Sequence, residues 1–185
     1  MGKVLYSMIT SLDGYIEDSD GSFEFAAPDD DVHQAANEEA LEASAFLFGR
    51  RLYETMEEFW TAAASRDDLP EVEAEFARAY AATPRIVFSD TLESVPDGVQ
   101  LVRRDDAAAE VARLKDQTDR HLVLGGATLA ASLLDLVDEF GLYVLPVAVG
   151  GGKPFLAPPK QLRLRLAEHR AFASGALHLL YERDA

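Results

Sequence analysis

Short runs of β-branched and aromatic residues alternate with longer helical patterns along most of the chain, and that alternation admits few folds. Residues 3–9, 45–48, 85–88, 99–102 and 121–124 read as short strands of the fully buried kind. Between them, residues 29–44, 50–60, 70–82 and 105–117 read as helices. In the last of these, Ala107, Ala108, Val111 and Leu114 share a face while Asp106, Glu110, Arg113 and Asp116 lie elsewhere. Strand–helix–strand units imply right-handed crossovers and a largely parallel sheet, with a ligand crevice beyond the C-terminal ends of its strands. The pattern then changes. Residues 139–149 form one long strand candidate ending in Gly150-Gly151-Gly152, and residues 162–173 and 177–183 alternate across Ser174-Gly175 as an antiparallel hairpin closing the sheet. The expectation is an α/β chain with a mixed sheet. Only residues 14–29 and 61–70 read as long irregular segments, either lids or passive surface loops.

A length of 185 residues without repeats or Ser/Pro-rich linkers points to one domain spanning residues 1–185, large enough to need no disulfide or metal staple. The absence of cysteine removes thiolate nucleophiles, Cys-based zinc sites and iron–sulfur clusters. No apolar run approaches a membrane span, and Met1-Gly2-Lys3-Val4-Leu5-Tyr6 lacks the layout of a secretory signal, so a cytoplasmic protein is expected. The 33 acidic and 17 basic side chains leave a net charge of −16. Nucleic acid and anionic bilayers would be repelled, because affinity for them rests on phosphate neutralisation. The acidity itself serves solubility or salt adaptation.

The strand-to-helix junctions hold the chemistry. Phe46-Leu47-Phe48-Gly49 runs into Arg50-Arg51-Leu52-Tyr53, where free amides of a helix start and two guanidinium groups could meet an anion. Gly49 as a tight turn, with solvated arginines, is the competing reading. His121-Leu122-Val123-Leu124 runs into Gly125-Gly126-Ala127-Thr128-Leu129, where two residues without Cβ let the backbone approach a pyrophosphate. It is not the dinucleotide GxGxxG fingerprint, since Ala127 stands in the second glycine's place. Ser89 and Thr91 follow the strand 85–88 at the same expected edge, as ligand hydroxyls or turn residues. After the first strand, Thr10-Ser11-Leu12-Asp13-Gly14-Tyr15 combines hydroxyls, a carboxylate and a glycine, in the manner of a loop closing over a ligand or of an ordinary Asp-Gly turn.

Ser11-Leu12-Asp13-Gly14-Tyr15-Ile16, Gly49-Arg50-Arg51-Leu52-Tyr53-Glu54-Thr55-Met56, the 85–91 strand end, Gly125-Gly126-Ala127-Thr128, and Leu145-Pro146 through Gly150-Gly151-Gly152-Lys153-Pro154-Phe155-Leu156 occur in the order typical of one superfamily. Across nearly its whole length the chain resembles the dihydrofolate-reductase-like superfamily, and within it the bacterial branch related to the riboflavin-biosynthesis reductase, or RibD C-terminal, domain. The resemblance implies an α/β three-layer sandwich: a central mixed, mainly parallel sheet with helices on both faces and a C-terminal antiparallel hairpin. It implies NADPH as cofactor, hydride transfer to a small heterocyclic (pterin- or pyrimidine-like) or carbonyl substrate, and a homodimer. By that likeness Gly49, Arg50 and Arg51 hold adenosine-side phosphates, Ser89 lies near the 2′-phosphate, and Gly125, Gly126, Ala127, Thr128 and Leu129 cradle the pyrophosphate. Ile9 flanks the nicotinamide. Ser11, Asp13 and Tyr15 flank nicotinamide and substrate, with Asp13 the polar substrate contact and catalytic candidate.

True dihydrofolate reductases carry one acidic residue on the first helix to bind the pterin. Here Asp29-Asp30-Asp31 offers a carboxylate, Asp30 being the substrate candidate, although the run equally suits a helix N-terminus favoured by the macrodipole. Trp60 reads as core or as an aromatic wall for a flat heterocycle. Other signals fall away. Gly151-Gly152-Lys153 is no P-loop, since Val147 stands where the first glycine belongs and Pro154 replaces Ser/Thr. His33, His121, His169 and His178 show no metal-ligand spacing, so no metal is expected, and neither Ser11 nor Ser174 sits in a nucleophile elbow. The rival to the reductase is a non-catalytic nucleotide- or ligand-binding protein retaining the fold.

Overall fold

In the computed structural model, which describes residues 1–184, one eight-stranded sheet organises the chain. The first half contributes β1 (Lys3–Thr10), the short β2 (Tyr15–Glu17), α1 (Asp30–Glu42), β3 (Ala43–Gly49), α2 (Arg50–Ala63) and α3 (Glu71–Ala82). Then come β4 (Arg85–Phe88), β5 (Val99–Val102), α4 (Ala107–Gln117), β6 (His121–Gly125) and α5 (Ala127–Ser132). The last part supplies β7 (Glu139–Val144), the two-residue β8 (Lys153–Pro154), β9 (Leu164–Ala171) and β10 (Leu177–Arg183). The strand order is β5-β4-β3-β6-β1-β7-β10-β9, and β2 pairs with β8 apart from the main sheet. All neighbours from β5 to β7 are parallel, whereas β10 is antiparallel to both β7 and β9.

Parallel strands covered on both faces must be apolar on both, which is why Phe46-Leu47-Phe48 and Leu122-Val123-Leu124 are unbroken apolar runs. Val4, Tyr6, Leu47, Phe88 and Leu124 face α4 and α5, packing with Val111, Leu129 and Ala130. Phe46, Phe48, Val87 and Val123 face the other way, against Ala40 of α1, Tyr53 of α2, and Ala79 and Tyr80 of α3. Val32 and Ala35 of α1 close a third cluster with Tyr143, Leu145 and Phe172 at the β7 side.

Four expected segments differ in the structure. The helix expected over 29–44 stops at Glu42, where the Arg120 guanidinium takes the terminal carbonyls of Leu41 and Glu42 and frees Ala43 to start β3. The strand expected over 139–149 ends at Val144: Leu145 N–H makes the last bond to β1, to the Thr10 carbonyl at 2.8 Å, and Pro146 has no N–H with which to continue the ladder. Helix α2 runs on to Ala63, shortening the segment expected over 61–70. Within 14–29, β2 and a 3₁₀ turn at Glu24–Ala26 impose order.

Under α1 the sheet partly buries a carboxyl. Glu39 accepts the Ser7 hydroxyl at 2.9 Å and the Tyr143 hydroxyl at 3.4 Å, and burial pushes its carboxyl from 4.5 up to about 7. Folded Glu39 therefore keeps its proton where the unfolded chain releases it, so its contribution to stability falls as the pH rises from about 4.5 to about 7. The full shift corresponds to up to about 3 kcal/mol. A Glu39→Gln variant, which cannot ionise, is expected to gain thermal stability relative to wild type at pH 8 and to lose that advantage at pH 5. Paired melting curves at the two pH values check this.

Candidate active site at the C-terminal edge of the sheet

Because β1, β3, β4, β5, β6 and β7 run in one direction, their C-terminal ends meet at one edge. The edge holds the turn after β1, the α2 start after β3, the Ser89 turn after β4, Arg103 after β5, Gly125-Gly126 after β6 and the glycine loop after β7. Ile9, beside Tyr143 in the ladder, packs partly buried against the cluster under α1.

The glycine pair is built for close approach. A Cβ on Gly125 would lie 2.5 Å from Leu52 Cδ2 and 3.3 Å from the Phe48 ring. Gly126, at φ 95°, turns the chain into α5, its N–H donating to Met8 Sδ at 3.3 Å. No side chain caps α5, so the first-turn amides of Ala127, Thr128 and Leu129 compete with no neighbouring oxygen. The α2 start is similar: Gly49 is its N-cap and no side chain bonds its first-turn amides. Arg50 and Arg51 are exposed there, Arg50 3.4 Å from Glu54 and Arg51 3.7 Å from Glu17.

The remaining candidates fare differently. Ser89 is 2% exposed, its Oγ accepting the amides of Thr91 at 3.2 Å and Leu92 at 3.1 Å. The group presented at that strand end is instead Arg103, exposed, with Nη1 donating to the carbonyls of Ser89 at 2.9 Å and Leu92 at 2.8 Å. Arg104 stands beside it, 3.9 Å from Asp90. Neither arginine was singled out from the sequence, where Asp105-Asp106 directly after them hides the basic pair. Two adjacent arginines closing a strand in so acidic a chain were the available signal.

Ser11 is fully buried and closes its own turn, Oγ accepting Tyr15 N–H at 3.0 Å while Ser11 N–H donates to Tyr15 O at 2.9 Å. Tyr15 opens β2 opposite Pro154. The Asp13 carboxylate accepts Val149 N–H at 3.1 Å and Gly150 N–H at 2.8 Å. The Ser11 hydroxyl foremost, with these amides, holds the Asp13 carboxyl below the usual carboxylate range. On α1, Asp29 is spent as the N-cap, accepting Val32 N–H at 2.9 Å, while Asp30 and Asp31 are exposed and Val32 takes the buried position. Trp60 packs among α1, α2 and α3, with ring centroids 4.4 Å from Phe76, 4.7 Å from Phe59 and 5.9 Å from His33. A cavity of about 490 Å³ lies at the opposite edge, among Ala45, Ile86, Val99, Leu114 and Leu122, away from all these groups.

Known proteins share this fold. The RibD C-terminal domain family matches residues 2–178. The uncharacterised protein YyaP of Bacillus subtilis is 27% identical over 183 residues, covering 97% of this chain and 94% of that one. Among solved structures, a putative riboflavin biosynthesis protein from Shewanella sp. PV-4 is similar over 100% of both chains, with a TM-score of 0.71 at 24% identity. Dihydrofolate reductase from Enterococcus faecalis, complexed with NADP(H), is similar over 100% of this chain and 98% of that one, with a TM-score of 0.69 at 14% identity. The fold is thus the dihydrofolate-reductase-like sandwich that the motif order implied.

The β7–β8 loop tolerates no side chain where it crosses β2. Gly152 has φ 134°, and a Cβ there would lie 1.9 Å from the Glu17 carbonyl oxygen. Gly152→Ala is expected to cost about 2 kcal/mol or more in urea unfolding. Gly21→Ala, at φ 79° in open space, should cost only about 1 kcal/mol.

Proposed function

This chain belongs to the RibD C-terminal domain family, and from that membership we propose that it is an NADPH-dependent reductase of a small heterocyclic, pterin- or pyrimidine-like, or carbonyl substrate. The observation that carries the reading is the single edge at which uncapped amides and exposed arginines gather. A dinucleotide phosphate needs donors that face outward, an approach no Cβ blocks, and cationic side chains. The first-turn amides of Ala127, Thr128 and Leu129 meet the first need and Gly126, where an added Cβ would find only Leu52 at 3.8 Å, the second, while the missing Cβ of Gly125 makes room for Leu52 and Phe48 beneath them. Arg50, Arg51, Arg103 and Arg104 meet the third.

In this reading the Gly125–Leu129 segment holds the pyrophosphate, Gly49, Arg50 and Arg51 the adenosine-side phosphates, and Arg103 and Arg104, set by the Ser89 turn, the 2′-phosphate. Ile9 and the turn from Ser11 to Tyr15 flank the nicotinamide, which when bound supplies the hydride. The protein contributes position and exclusion of water, the turn after β1 forming one wall of the site. Assembly as a homodimer belongs to the same reading, through the β9–β10 hairpin, where Leu166 and Leu177 stay 43% and 39% exposed.

A specific observation favours a second reading, a nucleotide-binding protein without turnover. Asp13 is committed to backbone amides, Asp29 to a helix cap, and Val32 occupies the inward position of the first helix turn. Oxidation of NADPH in a screen of pterins, pyrimidine ribosyl compounds and quinoid aldehydes separates the two, since only the reductase consumes the cofactor.

NADPH at about 100 times its Kd is expected to raise the melting temperature by roughly 5–10 °C, and NADH at the same concentration by less. Arg103→Ala combined with Arg104→Ala should remove the difference, while loss of the two Arg103 bonds to the Ser89 and Leu92 carbonyls lowers the ligand-free melting temperature by a few degrees at most. Equal shifts for the two cofactors in the wild type would overturn the 2′-phosphate assignment.

A further inference from the structure

Asp13 has the position expected of a substrate contact and the bonding of something else. Its two carboxylate oxygens accept separate amides, Oδ1 from Val149 at 3.1 Å and Oδ2 from Gly150 at 2.8 Å, across 136 and 137 residues of chain. Those amides belong to the loop after β7, whose glycines at 150, 151 and 152 all have positive φ. Around this joint the two loops are laced at every level. Leu12 N–H donates to Val147 O at 2.7 Å, Phe155 N–H donates to Gly14 O at 2.9 Å, and β2 pairs with β8 just beyond. Lys153, at the end of the glycine loop, lies 3.7 Å from Glu17, which also lies 3.7 Å from Arg51 at the α2 start. The turn so fastened carries Leu12, 67% exposed, at the ligand edge of the sheet.

We infer that Asp13 is a positioning residue, a fastener that joins the turn after β1 to the glycine loop after β7 and fixes both as a preformed wall of the nucleotide site. A carboxylate suits this task because it has acceptor positions on two oxygens and no proton to set against the amides facing it. Its commitment to them is also why it makes a poor proton donor to a substrate. The glycine loop, with three consecutive residues in a conformation few others adopt, has little rigidity of its own. Fastening it removes the entropy that a ligand would otherwise have to remove on binding. The consequence for the site rests on the nucleotide-binding reading above, whereas the joint itself does not.

The test compares wild type, Asp13→Ala and Asp13→Asn, with near-ultraviolet circular dichroism as the check on folding. Amide hydrogen exchange of Val149 and Gly150, read by NMR without ligand, is expected to accelerate at least tenfold in Asp13→Ala. It should accelerate less in Asp13→Asn, whose single amide oxygen still accepts one N–H. Stopped-flow release of NADPH should speed up in the same order, about tenfold for Asp13→Ala. In the wild type, protection of the two amides, corrected for intrinsic exchange, should be lost as the pH falls through the depressed carboxyl value, and Asp13→Asn should show no such step. Unchanged exchange in Asp13→Ala overturns the fastener. Faster exchange with unchanged NADPH release overturns its role in the site. If wild type binds no NADPH, the nucleotide reading fails along with that role, and the exchange comparison still decides the joint.

Discussion

Parallel hydrogen bonding of β1 to β6 on one side and β7 on the other is the constraint from which the candidate edge follows. Tyr6 pairs with Leu124 on one flank and Phe140 on the other, so three strand ends are locked in register. The turn after β1, the glycine pair after β6 and the loop after β7 therefore emerge side by side. Tyr6 also anchors the far end of that loop, its hydroxyl donating to the Phe155 carbonyl at 2.8 Å and its ring stacked on Phe155 at 4.3 Å. A shift of one residue in β1 would turn Tyr6 away from Phe155 and Ser7 away from Glu39, costing both layers at once.

The net charge of −16 gives the arginines at this edge their meaning. Each already has a nearby oxygen: Glu54 for Arg50, Glu17 for Arg51, Asp90 for Arg104, and the Ser89 and Leu92 carbonyls for Arg103. The three exposed ion pairs among these contribute little to stability. In the proposed reading they hold guanidinium groups at the strand ends in a protein whose general field repels anions, so that a phosphate would be attracted over a short range only, and salt would weaken that attraction.

How much of this was legible in the sequence varied with the range of the interaction. Strands β4 and β5 begin and end where expected, because Pro84 and Gly98 bound short apolar runs and nothing distant overrides them. The end of α1 was misplaced because Arg120, far along the chain, supplies the groups that stop it. At the site, strand ends and glycines could be read locally, since helix starts and close backbone approach have local signatures. The bonds of Asp13 and the burial of Ser89 depend on loops that meet only in the folded chain. Glu39 left a trace, a lone carboxylate on the apolar stripe of Val32, Ala35 and Ala40, and its partners Ser7 and Tyr143 come from two distant strands.

The placement of β10 bears on how the chain is made. It follows β9 in sequence but lies between β7 and β9 in the sheet. During synthesis β9 therefore emerges with no strand to pair with, and the outer edge of β7 stays open until residues 177–183 arrive to fill the gap. An unpaired edge invites association with other chains. The nascent protein carries an open edge in that interval, and insertion of one strand closes it by satisfying both neighbours together.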